Sequence, residues 1–189
     1  LDKAAVQRGR WTAVVMREKE ILASLAPHPC VVALHNTYQD EKHLFMLMEL
    51  VAGGELYQLM LKQGRFNEPK AKFYSACIAS ALAHLHQLRI VHGNLQPAAL
   101  LFESVEIDQG ALRLGGLGGA RRVPATAAAS LEGACGSPDY TCPEALTWLV
   151  PGAHPRRYGA AADAWSPWRD RTTAAVSSDS GRSGSSVAT

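Results

Sequence analysis

The sequence predicts an α+β fold in which a small strand-bearing unit leads into a mainly helical body. Three features predict it. Residues 67–88 carry a wide apolar stripe at helical spacing, residues 30–37 and 43–51 are two short β-rich runs, and residues 11–26 are amphipathic with a stop at Pro27. Helical and strand periodicities are thus both present and largely segregated along the chain.

In residues 11–26, apolar Trp11, Val14, Val15, Ile21, Leu22 and Leu25 alternate with Arg17, Glu18, Lys19 and Glu20, so one face is set for burial. The two β-rich runs are split by the polar turn Gln39-Asp40-Glu41-Lys42. Gly53-Gly54 breaks the pattern, and Glu55 to Lys62 reads as a short helix, with Glu55 placed to favour its start. For the long helix, Asn67 suits the N-cap and Glu68-Pro69 the first turn. Tyr74, Ile78, Leu82 and Leu85 then recur along one side. Leu100-Leu101-Phe102 and Ala111-Leu112-Arg113-Leu114 predict two short strands around a turn containing Asp108-Gln109-Gly110. Four glycines crowd residues 115–119, and an alanine-rich stretch covers 125–134. Residues 167–189 are rich in Ser, Ala and Gly with little to bury, which predicts a disordered tail.

Composition narrows the function classes. A net charge of +2, with 19% charged residues, gives no electrostatic footprint for nucleic acid. No apolar run approaches the ~20 residues needed to span a bilayer, so neither nucleic acid nor membrane is an expected partner. Cys30, Cys77, Cys135 and Cys142 form no C-x-x-C pair, which points to a reducing, cytoplasmic setting. His84 and His86 lie two apart on a helix and do not share a face, so they do not make a zinc site. The glycine cluster before Arg121-Arg122 lacks the G-x-x-x-x-G-K-[ST] pattern of a phosphate loop. The start, Leu-Asp-Lys, reads neither as a signal peptide nor as a natural initiation site.

Residues 92–101, His-Gly-Asn-Leu-Gln-Pro-Ala-Ala-Leu-Leu, resemble the catalytic loop of protein kinases, H-R-D-L-K-P-x-N-L-L, in register throughout. Three further segments carry the same resemblance in the family's order. Residues 48–56 resemble the strand and hinge that hold adenine, and Gly136-Ser137-Pro138-Asp139-Tyr140-Thr141-Cys142-Pro143-Glu144 resembles G-T-P-E-Y-x-A-P-E. Tyr158-Gly159 followed by Asp163, Trp165 and Ser166 resembles Y-G-x-x-x-D-x-W-S. The resemblance covers about residues 11–166 and is to the serine/threonine kinases near the cyclic-nucleotide-dependent (AGC) group. It implies a kinase-like fold in three parts. Residues 1–52 would be a truncated small lobe and hinge, with helix C and the last strands. Residues 53–166 would be a partial, mainly helical large lobe, and 167–189 the tail. A small lobe of two strands would leave sheet edges uncovered.

What the resemblance implies for chemistry turns on departures from the motif. The catalytic aspartate position is Asn94, and an amide cannot take up a proton near neutral pH. The loop lysine position is Gln96. The two metal-ligand positions are Ala99 and Gly116, which offer no oxygen to magnesium. Gly93 replaces the arginine that clamps a phosphorylated activation segment, and the residue usually phosphorylated aligns with Gly133. Glu18 matches the helix C glutamate, but the lysine it would pair with has no counterpart here. Backbone groups of Glu49 and Val51, the side chain of Leu101 and the ribose-side Glu55 are the implied remnant of the adenine and ribose pocket. Leu22, Leu34, His92 and Leu117 are the implied packed column linking the lobes, and Asp163 the acceptor for the loop's backbone.

The expected outcome is a kinase-like domain impaired in catalysis, with no regular magnesium site, at most weak ATP binding, and a protein partner on the large-lobe surface. Losing a general base alone costs roughly 10²–10⁴ in rate, and loss of the metal ligands removes electrostatic stabilisation as well. Two alternatives stay open on sequence: an active ATP-dependent serine/threonine kinase using unusual residues, and a product of a degenerate gene with no function of its own.

Overall fold

The computed structural model describes residues 1–104, 110–125, 130–133 and 135–165. The expected tail at 167–189, the tip of the 103–110 turn and half of the alanine-rich stretch lie outside the described residues.

The chain opens with α1 (Lys3–Arg8), an element that sequence reasoning did not assign; the Asp2 carboxylate caps it by accepting the Ala5 N–H at 2.6 Å. Next come α2 (Thr12–Ser24), then β1 (Leu34–Gln39) and β2 (Leu44–Met48), an antiparallel pair. The turn between these strands is tied by Asp40, whose carboxylate accepts the Lys42 and His43 N–H groups at 2.7 and 2.6 Å. Those bonds favour the charged form, so the Asp40 carboxyl lies below the usual carboxylate range. The first β run begins four residues later than expected, at Leu34, because Cys30 and Val32 turn instead to the large lobe. Leu114 N donates to Cys30 O at 2.8 Å and Val32 N to Leu114 O at 3.0 Å. At the outer edge of β2, Leu1 and Leu44 exchange two backbone bonds of 2.8 Å; the sheet itself has two strands.

The helical body starts with α3 (Leu56–Gln63), at whose N-cap Glu55 makes no side-chain capping bond, and continues with α4 (Glu68–Gln87). Asn67 caps α4 as the sequence predicts, its side chain accepting the Lys70 N–H at 3.1 Å. Helix α4 buries Tyr74, Cys77, Ala81, Leu82 and Leu85, whereas Phe73 on its flank is exposed. Two small antiparallel pairs follow: β3 (Ile90–Val91) pairs with β6 (Arg121–Arg122), and β4 (Leu100–Phe102) with β5 (Leu112–Leu114). Two short helices, α5 (Pro143–Leu146) and α6 (Ala161–Trp165), complete the described chain.

One cluster of buried side chains joins the parts. Leu85, Ile90, Leu95, Phe102, Leu112, Leu114 and Leu117 are each less than 2% exposed, and burying each contributes about 1.5–3 kcal/mol. Phe102 meets Tyr74 edge-on, ring centres 5.4 Å apart, which locks β4 to α4. A second cluster of Val91, Leu131, Cys142, Ala145 and Tyr158 fastens the segment before α6 to β3. The fold therefore sets the 92–101 loop between two packed bodies.

Candidate functional site

The loop leaves β3 at His92 and is held by Asp163, from α6, 71 residues away in the chain. Asp163 is 1% exposed. Its carboxylate accepts the His92 N–H and the Gly93 N–H, both at 2.8 Å, and the His86 ring Nε2 lies 2.8 Å from the same group. Two backbone donors of a tight loop are thereby satisfied by one buried charge. Gly93 occupies the left-handed region with φ +73°, and a Cβ there would meet Gly119 O at 2.9 Å. A side chain at 93 is thus opposed both by its backbone and by its neighbour.

His92 is fully buried. Its Nε2 donates to Gly115 O at 2.9 Å, and its Nδ1 accepts the Asn94 N–H at 3.3 Å. Burial pushes its pKa down, so the ring is neutral and structural. Leu22 and Leu117 are buried in the main cluster, with Leu34 packed against it. The column implied by the resemblance therefore has its apolar members in one core, with His92 bonded to the strand end beneath.

Asn94 is half-buried, and its Oδ1 accepts the Ser137 N–H at 2.8 Å. The side chain at the base position is thus committed to the 136–144 segment. Gln96 precedes the 3₁₀ turn Pro97–Ala99; its carbonyl accepts the Ala99 N–H at 2.9 Å and its side chain makes no capping bond. Ala99 and Gly116 face each other: a Cβ on Gly116 would stand 3.2 Å from the Ala99 Cβ. The two positions are neighbours, but a methyl group and a hydrogen stand where the resemblance implies two oxygen donors. The residues present do not fit magnesium. No group of three or more His, Cys, Asp or Glu side chains able to hold a metal occurs among the described residues.

Glu18 lies on α2 facing Gly118, whose Cβ would be 3.5 Å from its carboxylate. It makes no ion pair among the described residues, and burial raises its pKa. The hinge side is better preserved in backbone than in side chains. Glu49 N donates to Ala33 O at 2.9 Å. The Glu49 carboxylate is bound by Arg113 at 3.1 Å, and Arg113 also holds Glu103 at 2.7 Å. Val51 is half-buried and lies just past the strand. Leu101 on β4 pairs with Glu55 by an isolated antiparallel bridge, and a Cβ on Gly115 would lie 3.8 Å from the Leu101 side chain. Leu101 is thus joined to Glu55 and lies beside Gly115, while Ala99 lies beside Gly116 and Glu18 beside Gly118.

In the activation-segment position, Arg121 donates to Glu132 O at 2.6 Å, and a Cβ on Gly133 would be 3.3 Å from its guanidinium. Glu132 pairs with Arg157 at 2.8 Å, and Tyr158 Oη donates to Gly133 O at 2.8 Å. The described part of the segment is held there by main-chain acceptors and by the Glu132–Arg157 pair. Sequence reasoning missed three of these contacts: Ser137 on Asn94, His86 on Asp163 and Arg113 on Glu49. Each joins residues at least 43 positions apart, and no local pattern marks them.

The hinge after β2, the aspartate-held loop after β3 and the closing segment before α5 follow one another in this order along the chain. Residues 2–167 match the protein kinase domain family, and the chain belongs to it. Its curated relatives are AGC-type serine/threonine kinases. The chain is 39% identical over 149 residues to a cAMP-dependent protein kinase catalytic subunit of Schizosaccharomyces pombe, covering 79% of the chain and 26% of that protein. It is 36% identical over 165 residues to the corresponding subunit of Dictyostelium discoideum, covering 87% of the chain and 23% of that protein. With the serine/threonine-protein kinase Sgk1 of Fundulus heteroclitus it shares 33% identity over 166 residues, 87% of the chain and 36% of that protein. The chain thus spans roughly a quarter to a third of the length of these relatives.

Proposed function

We propose that this chain is a serine/threonine kinase domain in which phosphoryl transfer is lost and the scaffold serves to bind a protein partner. The observation that carries the reading is the pair Ala99–Gly116: the two positions lie side by side, and neither side chain has a donor atom. Phosphoryl transfer depends on positioning and charge neutralisation around the transferred group, and this region supplies neither a metal-holding oxygen nor a lysine at Gln96. Asn94 adds to the deficit, because its amide oxygen accepts from Ser137 N–H and cannot accept a proton.

Nucleotide recognition is confined to the hinge. The Glu49 carbonyl and Val51 amide would face a purine, Leu101 would lie beneath it, and Glu55 would stand at the ribose side. Binding there is weak and independent of magnesium. The partner binds the large-lobe surface, and the setting is cytoplasmic, in keeping with four free cysteines. No helix among the described residues is long and apolar enough to cross a membrane. A thermal-shift titration with ATP tests the reading. The expected result is a small shift that is the same in excess magnesium and in EDTA; a shift that requires the metal refutes it.

A further inference from the structure

We propose that the stacked His28–His84 ring pair is an acid-opened clasp holding the 25–33 loop of the small lobe against α4. The rings lie 4.7 Å apart between centres and 19° from parallel. Each also makes bonds that require a neutral ring or are spent on the opposite element. His28 Nδ1 accepts the Cys30 N–H at 3.1 Å, which leaves the proton on Nε2, 3.3 Å from Ser80 Oγ on α4. His84 Nε2 donates to Ala26 O at 3.2 Å. The pair therefore ties two points of the loop to one turn of α4.

Protonation attacks this arrangement directly. A second proton on His28 must go to Nδ1, the atom that accepts from Cys30, so two donors would then face each other. Charging both rings would also set like charges at stacking distance. Burial, and then the neighbouring His84, hold the His28 pKa below the ordinary histidine value. The surroundings offer no relief. Helix α4 presents Ser80 and Cys77, the loop presents Cys30, and β5 presents Arg113, whose charge reaches Cys30. Arg122 of β6 ties Ser24 to Leu88 O at the same junction. Neither ring has a carboxylate partner among the described residues. Histidine is the side chain whose ordinary charge change falls nearest physiological pH.

The loop is also well placed to transmit its release. Val31 N donates to His28 O at 3.1 Å, and the next residues pair with Leu114, two positions before Gly116. The sign follows from linkage: the native state disfavours the proton, so the clasp is intact above the unfolded histidine pKa of about 6.5 and weakens as pH falls below it.

Amide hydrogen exchange on the intact chain tests the proposal, after correction for intrinsic rates. Protection at Cys30 and Val31 should fall about tenfold or more between about pH 7.5 and about pH 5.5, while Leu82 and Leu85 in α4 keep theirs. In His28→Asn the amide oxygen still accepts from Cys30 without titrating, so the loop should stay protected at both pH values. In His84→Gln, which keeps a donor for Ala26 O but removes the second charge, the midpoint of the loop's response should move to higher pH. Loop protection that ignores pH in the parent chain overturns the proposal. So does an equal fall in His28→Asn, or an unmoved midpoint in His84→Gln.

Discussion

Replacing Asp163 by alanine removes the single acceptor of two loop amides, and the consequence can be sized from the structure. The carboxylate is 1% exposed and accepts His92 N–H and Gly93 N–H, each at 2.8 Å, with His86 against the same oxygen as His92 N–H. Hydrogen bonds to a charged group contribute about 1.5–3 kcal/mol each, and a buried donor left without a partner loses that much. Relief of the cost of burying the charge offsets part of the loss, so a net destabilisation of about 3 kcal/mol is expected. For a domain of this size each kcal/mol moves Tm by about 2–4 °C, so Tm should fall by about 6–12 °C. Thermal unfolding followed by circular dichroism reads this directly. The fall should be accompanied by faster amide exchange at residues 92–94. A Tm within about 2 °C of the parent, with unchanged exchange at those amides, would refute the reasoning that Asp163 holds the loop.

Three further outcomes follow from the same geometry. Asn94→Asp alone should restore no measurable phosphate transfer, because Ala99 and Gly116 still present no oxygen; appreciable turnover by that variant in a radiolabel assay would contradict the account. Combining Ala99→Asn with Gly116→Asp should create a magnesium dependence in ATP thermal shift that neither single change produces, since together they supply the two missing oxygen donors, although the Ala99 Cβ, 3.2 Å from a Cβ on Gly116, must give way slightly. Aspartate tolerates the left-handed backbone at 116, φ +66°, better than most residues. In a His28→Asn background, global stability measured by urea unfolding should still decline as pH falls below about 6.5. That decline belongs to His92, which is buried neutral in the native state and takes up a proton only on unfolding. A flat profile there would show that His92 is accessible to protons in the folded chain.

Much of the fold was legible because its signals are local. Asn67 announces α4 by a side chain that reaches only three residues ahead, and the stripe from Tyr74 to Leu85 repeats within one helix. The 92–101 loop was legible for a different reason: its shape-holding residues persist in register, and Leu95 and Leu100 are buried as that shape requires. Helix α1 escaped notice because only Val6 of its six residues is buried, so it has no apolar stripe. The start of β1 was misjudged because Cys30 and Val32 are β-formers by composition but are bonded to Leu114, a long-range pairing that overrides propensity. The same holds for the site. Absence of donors at Ala99 and Gly116 is written in the residues themselves, whereas the capture of Asn94 by Ser137 and of the Glu49 carboxylate by Arg113 depends on tertiary placement.

The measurement that bears most directly on loss of catalysis is transfer of the γ-phosphate of labelled ATP to a serine-containing basic peptide by the purified chain in excess magnesium. The account predicts incorporation no greater than that given by an Asn94→Ala variant purified in parallel. Magnesium-dependent incorporation that is present in the parent chain and lost in that variant would show that the region performs catalysis after all.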